Sequence, residues 1–60
     1  MSETVLVNVM VEIIKKINET QTTLKNASLV LTDENLKEEL NKLYNELGSI
    51  AEKVISILSR

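Results

Sequence analysis

Apolar residues recur along the second half of the chain at alternating steps of four and three. The members of this stripe are Leu36, Leu40, Leu43, Leu47, Ile50, Val54 and Ile57. Such steps keep side chains on one side of an α-helix, so the spacing predicts an amphipathic helix over about residues 33–59. Thr32 or Asp33 supplies its N-cap, and Glu34 lies in the first turn, where the helix dipole favours an acid.

The first half of the chain repeats the same spacing. Its stripe consists of Leu6, Met10, Ile13, Ile17, Thr20, Leu24, Ala27 and Leu31. This predicts a first helix over about residues 3–31, with Ser2 or Thr4 as its cap. A short turn at about residues 32–34 forces neighbouring helices antiparallel, so we expect an all-α helical hairpin that forms one domain of 60 residues.

A second interpretation applies to residues 4–11. Val5, Val7, Val9 and Val11 stand at every second position, and β-branched residues at a period of two are typical of a strand. A strand followed by two helices would resemble a ribbon-helix-helix DNA-binding protein. This strand would carry no Arg or Lys for base contacts, so the helix is favoured and the strand stays open as the alternative.

Length and composition limit how a hairpin of this size can be stabilised. A chain of 60 residues buries a small fraction of its surface, and such chains rely on disulfides, a metal or a partner. The chain has no Cys and no His, which excludes disulfides and the usual zinc sites. Association with another chain is the remaining route.

The chain carries more apolar residues than a hairpin needs to cover its own two stripes. Most of the surplus falls at the open end, away from the turn, so we expect a homodimer that closes a four-helix bundle. The predicted oligomer interface consists of Val7, Val9, Met10, Ile14, Ile17, Leu47, Ile50, Ala51, Val54, Ile55 and Leu58. An unidentified protein partner or a lipid surface is the alternative occupant, and the scarcity of basic flanking residues disfavours the lipid surface.

Two residues near the middle of the predicted helices differ from their apolar neighbours. Thr20 either bonds its hydroxyl to the carbonyl four residues back or forms a polar layer that fixes register and partner choice. Gly48 lies at nearly the same height. It either admits a second backbone at close range or is a weak point that costs about 1 kcal/mol relative to Ala.

Charge and residue types disfavour several function classes. Seven basic and nine acidic residues give a net charge of −2, and the basic residues are spread along the chain. Clustered Lys and Arg bind phosphate backbones, so nucleic acid is a disfavoured partner. With no His, no nucleophile and base stand out, and Glu34, Glu38 and Glu39 lack the spacing of a calcium loop or a di-metal motif. We therefore expect no enzyme, no cofactor and no metal site.

The longest apolar run, residues 5–17, is interrupted by Asn8, Glu12, Lys15 and Lys16. It falls short of the ~20 residues of a membrane-spanning helix, and it lacks the basic start and the cleavage site of a signal peptide. We therefore expect a cytoplasmic protein without a membrane partner.

The length of the chain, a turn just past its middle and the Leu31-Thr32-Asp33-Glu34-Asn35 corner resemble the Rop-like hairpin dimers of plasmids and the short helical-hairpin adaptor proteins of archaeal viruses and plasmids. The resemblance implies a dimeric four-helix bundle. The RNA-binding face of Rop-like proteins uses basic residues and a Phe on helix 1, whereas this chain has no Phe and an isolated Lys15-Lys16 pair. We therefore expect a non-catalytic protein-interaction or adaptor module, with a Rop-like or ribbon-helix-helix-like nucleic-acid-binding regulator as the alternative.

Overall fold

The computed structural model describes residues 3–60, which form two α-helices. α1 is Glu3–Val30 and α2 is Glu34–Leu58, and residues 31–33 join them. The helices pack against each other as a hairpin with dimensions of 47 × 15 × 12 Å. The predicted all-α hairpin is therefore confirmed, with each helix boundary within one residue of its predicted position.

The alternative strand at residues 4–11 is wrong, because this segment lies inside α1 and residues 3–60 contain no strand. Leu6 and Met10, which lie between the alternating valines, are half-buried and face α2. This packing overrides the β-propensity of the valines. Of the two predicted caps, Thr4 lies inside the helix, and Ser2 lies outside the described residues.

Asp33 is the N-cap of α2. Its backbone is extended, with φ −76° and ψ 113°, and its carboxylate accepts hydrogen bonds from the backbone N–H groups of Asn35 at 2.9 Å and Leu36 at 3.2 Å. These bonds satisfy two of the N–H groups that a helix start leaves without an intrahelical partner. Of the two caps that the sequence offered, the aspartate is therefore the one that is used.

α1 continues without a break through its threonine-rich segment. The hydroxyls of Thr20, Thr22 and Thr23 each donate to the carbonyl oxygen four residues earlier, at 2.8, 3.0 and 3.1 Å. A threonine hydroxyl that bonds in this way follows the helix instead of offering the backbone an alternative conformation. The two halves of α1 consequently share one helical periodicity.

The contact between α1 and α2 is a narrow seam. Ile17 and Val54 are each 8% exposed and are the two buried side chains of residues 3–60. The half-buried residues along the seam are Leu6, Met10, Ile14, Gln21, Leu24, Ala27 and Ser28 on α1, Leu31 in the connection, and Lys37, Leu40, Tyr44, Leu47, Gly48, Ala51 and Leu58 on α2. No described side chain is fully enclosed, so the hairpin has a seam but lacks the enclosed interior of a globular domain.

Candidate interaction surface

α2 leaves one edge of its apolar stripe uncovered. The exposed members of the stripe, which are between 40% and 50% exposed, are Leu36, Leu43, Ile50 and Ile57. Steps of seven residues place these four side chains on one line along the helix. The members between them, Leu40, Leu47 and Val54, lie in the seam. α1 therefore covers one half of a stripe that the sequence pattern predicts to be buried.

α1 carries a corresponding exposed row. Val9 and Ile13 are 47% and 37% exposed, Thr20 is also exposed, and Ala27 is half-buried. Ile13, Thr20 and Ala27 are seven residues apart, so they lie on one line, with Val9 beside it. The Thr20 hydroxyl donates to the Lys16 carbonyl oxygen at 2.8 Å, which satisfies its donor within α1.

The two rows lie on the same side of the hairpin. At about 100° per residue, each row is rotated away from the seam in the same sense about its own helix axis. Two antiparallel helices are related by a twofold axis perpendicular to the plane that contains them. Rows that are rotated in the same direction from the seam therefore lie on the same side of that plane, so the two rows form one surface. We call this surface the open face. Its members are Val9, Ile13, Thr20, Ala27, Leu36, Leu43, Ile50 and Ile57.

A smaller apolar patch lies on the opposite side, near the ends of the helices remote from the turn. It consists of Val7, Val11 and Ile55, which are 45%, 51% and 50% exposed, and we call it the end patch. Towards the turn this side becomes polar, since its exposed residues there include Lys25 and Asn41. The open face is thus the side of the hairpin that is apolar along most of its length.

The structure places the predicted interface residues in three locations. Those that line the seam within one chain are Met10, Ile14, Ile17, Leu47, Ala51, Val54 and Leu58. Val9 and Ile50 lie on the open face, whereas Val7 and Ile55 lie in the end patch. Ile13, Leu36, Leu43 and Ile57 were not predicted to lie in the interface. The signal that could have identified them is their spacing, since each belongs to a series of residues seven apart that runs along one edge of its stripe.

Gln21 is a polar residue of the seam whose side chain reaches across to α2. Its side-chain Nε2 donates to the backbone carbonyl oxygen of Tyr44 at 3.0 Å. Gln21 follows Ile17 by four residues and precedes Leu24 by three, so it fits the helical spacing as well as its neighbour Thr20 does. Periodicity alone does not distinguish Gln21 from Thr20, because adjacent residues at the edge of a stripe fit the helical spacing equally well. The role of Thr20 in register stays a prediction.

Gly48 lies against the side chain of Gln21. A Cβ placed on Gly48 would lie 3.4 Å from the Gln21 Nε2, which is the short end of ordinary van der Waals contact. The group of α1 that approaches this glycine is therefore a side-chain amide and not a second backbone.

Two ion pairs lie near the turn, in which Lys37 is half-buried and Glu34, Glu39 and Lys42 are exposed. Lys37 lies 3.7 Å from Glu34, and Lys42 lies 3.6 Å from Glu39, and surface pairs of this kind contribute at most about 1 kcal/mol. Residues 3–60 contain no group of three or more His, Cys, Asp or Glu side chains that could hold a metal ion. Neither of the two described helices is long and apolar enough to cross a membrane.

A groove of about 190 Å³ runs between the helices beside the turn, on the side away from the open face. It is lined by Leu24, Lys25, Ser28, Leu29, Leu40, Asn41 and Tyr44. Small-molecule sites usually enclose about 300–1,000 Å³, so this groove is too small to hold a typical ligand. Two larger but shallow depressions, of about 470 and 430 Å³, lie on α1 alone, and the second includes Val9 and Ile13 of the open face. The open face is the longest apolar surface of the described residues and is the candidate site.

Comparison with known proteins leaves the family of this chain open: no protein-family model, curated protein or solved structure matches it.

Proposed function

We propose that this chain is a non-catalytic protein-interaction or adaptor module that works as a homodimeric four-helix bundle. The observation that carries the proposal is the open face, which is apolar along the hairpin and uncovered in a single chain. Full burial of a large aliphatic side chain is worth about 1.5–3 kcal/mol. Covering several half-exposed ones at once therefore supplies a strong driving force for association.

The large accessible surface of the single hairpin is a second argument for dimerisation. Its accessible surface is 4817 Å², whereas a compact monomer of its mass would have about 4,000 Å². The excess of roughly 800 Å² equals the area that each partner buries in a standard stable interface. The Cα radius of gyration, 14.3 Å, also exceeds the ~10 Å expected of a compact domain of this length.

A second copy suits the open face because none of its eight members is charged. Two copies can therefore meet without enclosing an unpaired charge, which would cost several kcal/mol. A twofold axis lets the same surface serve both partners. The nearest charged neighbours, such as Lys16 and Glu39, are exposed and would stay at the rim of the bundle.

The remaining surfaces support an interaction role for the dimer. The end patch and the groove beside Tyr44 lie off the open face, so a bundle would display two copies of each to other proteins. Large aliphatic side chains that stay exposed after assembly are typical of interaction sites.

Two leucine substitutions test the proposed dimer. Leu43 lies on the open face, whereas Leu29 is 76% exposed and lies off it, so Leu29→Glu is a matched control for Leu43→Glu. We expect sedimentation equilibrium to give a dimer for the wild type and for Leu29→Glu, and a monomer or an unfolded chain for Leu43→Glu. A folded wild-type monomer at high concentration, or a dimeric Leu43→Glu chain, would contradict the proposal.

Affinity capture with the wild type and Leu43→Glu tests the adaptor role. We expect a partner protein to be retained by the wild type and to be lost with Leu43→Glu, because partner sites on a bundle require the bundle. Leu29→Glu is not a control here, since Leu29 lines the groove beside Tyr44. If the wild-type dimer retains no protein beyond those held by an unrelated helical bundle of equal charge, the adaptor role is wrong and the dimer stands.

A further inference from the structure

We infer that the second copy docks on the open face with its turn at the opposite end, so that a twofold axis passes beside Thr20. This inference rests on the proposed dimer and adds the relative direction and the register of the two hairpins. Three properties of the open face support it: the relative height of its residues, the sizes of its side chains and the position of its one hydroxyl.

The contacts of Gln21 fix the relative height of the two helices. Its Nε2 bonds to the Tyr44 carbonyl oxygen and lies beside Gly48, so Gln21 is level with a point midway between those two residues of α2. Because the helices are antiparallel, Thr20, one residue earlier, is level with Leu47. The point beside Thr20 and Leu47 is close to the middle of the paired length of the hairpin.

Both rows of the open face are arranged evenly about that level. On α1, Ile13 lies seven residues before Thr20 and Ala27 lies seven residues after it. On α2, Ile50 and Leu43 lie three residues after and four residues before Leu47. A single twofold axis at this level, perpendicular to the helices, therefore brings each row into register with its own copy. Ile13 then faces the partner's Ala27, and Ile50 faces the partner's Leu43.

The side chains of the α1 row decrease in size towards the turn, from Val9 and Ile13 to Ala27, whereas the α2 row is large throughout, with Leu36 and Leu43 near the turn and Ile50 and Ile57 remote from it. If both turns lay at one end, α1 of each copy would face α2 of the other. Ile13 would then meet isoleucines and Ala27 would meet leucines, so the hairpins would be held farther apart at one end than at the other. Protein interiors pack at uniform density without such gaps. Opposite turns place Ile13 against the partner's Ala27 at both ends.

The hydroxyl of Thr20 favours the same arrangement. On a twofold axis each Thr20 meets the partner's Thr20, whereas with both turns at one end it would meet the partner's Leu43 and Ile50. A buried polar residue that pairs with its own copy fixes register and orientation in helical bundles. Burial of this hydroxyl is inexpensive because it already donates to the Lys16 carbonyl oxygen at 2.8 Å.

The distance between the two turns tests the direction of docking. The chain has no Cys, so Thr32→Cys gives a single attachment point for a spin label in the exposed turn. Opposite turns place the labels about 40 Å apart, since each turn lies 12 residues from Thr20 at about 1.5 Å per residue. Turns at one end would place them within about 10–20 Å, or one to two helix diameters.

Disulfide formation tests the position of the axis. Thr20→Cys is expected to form a dimer linked by a disulfide under mild oxidation, because the two Cα atoms at the axis come within the range of about 4.4–6.8 Å that a disulfide spans. Thr22→Cys is the matched control, since Thr22 bonds its hydroxyl in the same way but lies on the far side of α1, and it should not cross-link.

The outcomes separate the docking inference from the proposed function. A wild-type dimer with a long label distance and a cross-linked Thr20→Cys chain supports the docking mode. A wild-type dimer with a short label distance, or one in which Thr20→Cys fails to cross-link, overturns the docking mode and leaves the dimer intact. A monomer in sedimentation overturns both.

Discussion

The side-chain amide of Gln21 donates a hydrogen bond of 3.0 Å across the seam to the backbone carbonyl oxygen of Tyr44. The carbonyl belongs to the interior of α2, and a carbonyl oxygen has two lone pairs, so it can accept this bond in addition to its intrahelical one. The bond connects defined positions of the two helices. It therefore limits how far one helix can slide along the other.

Replacing Gln21 by Ala is expected to lower the free energy of unfolding by about 1–2 kcal/mol, because the cross-helix bond and part of the seam packing are lost. Thr22→Ala, at the exposed neighbouring position, should change it by less than about 0.5 kcal/mol. Urea denaturation at one fixed protein concentration measures both variants, since dimer stability depends on concentration. Equal stabilities for the two variants would show that the bond contributes nothing.

Gly48→Ala is expected to raise the free energy of unfolding by up to about 1 kcal/mol, because Ala is the better helix former and its Cβ would lie in ordinary contact with the Gln21 amide, at 3.4 Å. Gly48→Leu is the matched comparison. It adds helix propensity too, but its longer side chain must displace the amide from the Tyr44 carbonyl, so it should be less stable than Gly48→Ala. Thermal unfolding at matched concentrations measures this order, and a Gly48→Ala chain less stable than the wild type would contradict it.

Asp33→Ala is expected to destabilise the hairpin by about 1 kcal/mol, because two backbone N–H groups of α2 lose the carboxylate that accepts from them at 2.9 and 3.2 Å. Thr32→Ala removes the hydroxyl of the other candidate cap and should leave stability nearly unchanged. Circular dichroism during thermal unfolding compares the two variants. A larger loss with Thr32→Ala would show that the cap is assigned to the wrong residue.

Nucleic-acid binding separates the proposed module from a regulator of the Rop-like kind. We expect fluorescence anisotropy to detect no salt-sensitive binding of duplex DNA or of stem-loop RNA. The basic residues are spread along the chain, and Lys37 and Lys42 are paired with glutamates, whereas phosphate binding depends on clustered, available cations. Binding that weakens steeply between low and moderate salt would favour the regulator.

Periodicity predicted the helices well but placed the seam too coarsely. Leu40 and Leu43 both belong to the stripe of α2, yet Leu40 is half-buried in the seam and Leu43 is 47% exposed. A single neighbouring helix is too narrow to cover the whole apolar stripe of α2. The rotation of α2 about its own axis decides which edge of the stripe α1 covers. The same uncertainty, of about one residue, applies to α1, where the spacing predicts Thr20 as the polar position of the stripe and the structure has Gln21 in the seam.

The sequence by itself determined the elements of this protein: two amphipathic helices, the turn between them and a cap at Thr32 or Asp33. These follow from local physics, since apolar spacing, capping groups and the lack of proline act within a few residues along the chain. The tertiary structure decided which edge of each stripe is covered, that Gln21 reaches Tyr44, and that the open face and the end patch lie on opposite sides. Those outcomes depend on the rotation and height of one helix relative to the other, which are set by side-chain packing across the seam and not by spacing within either helix.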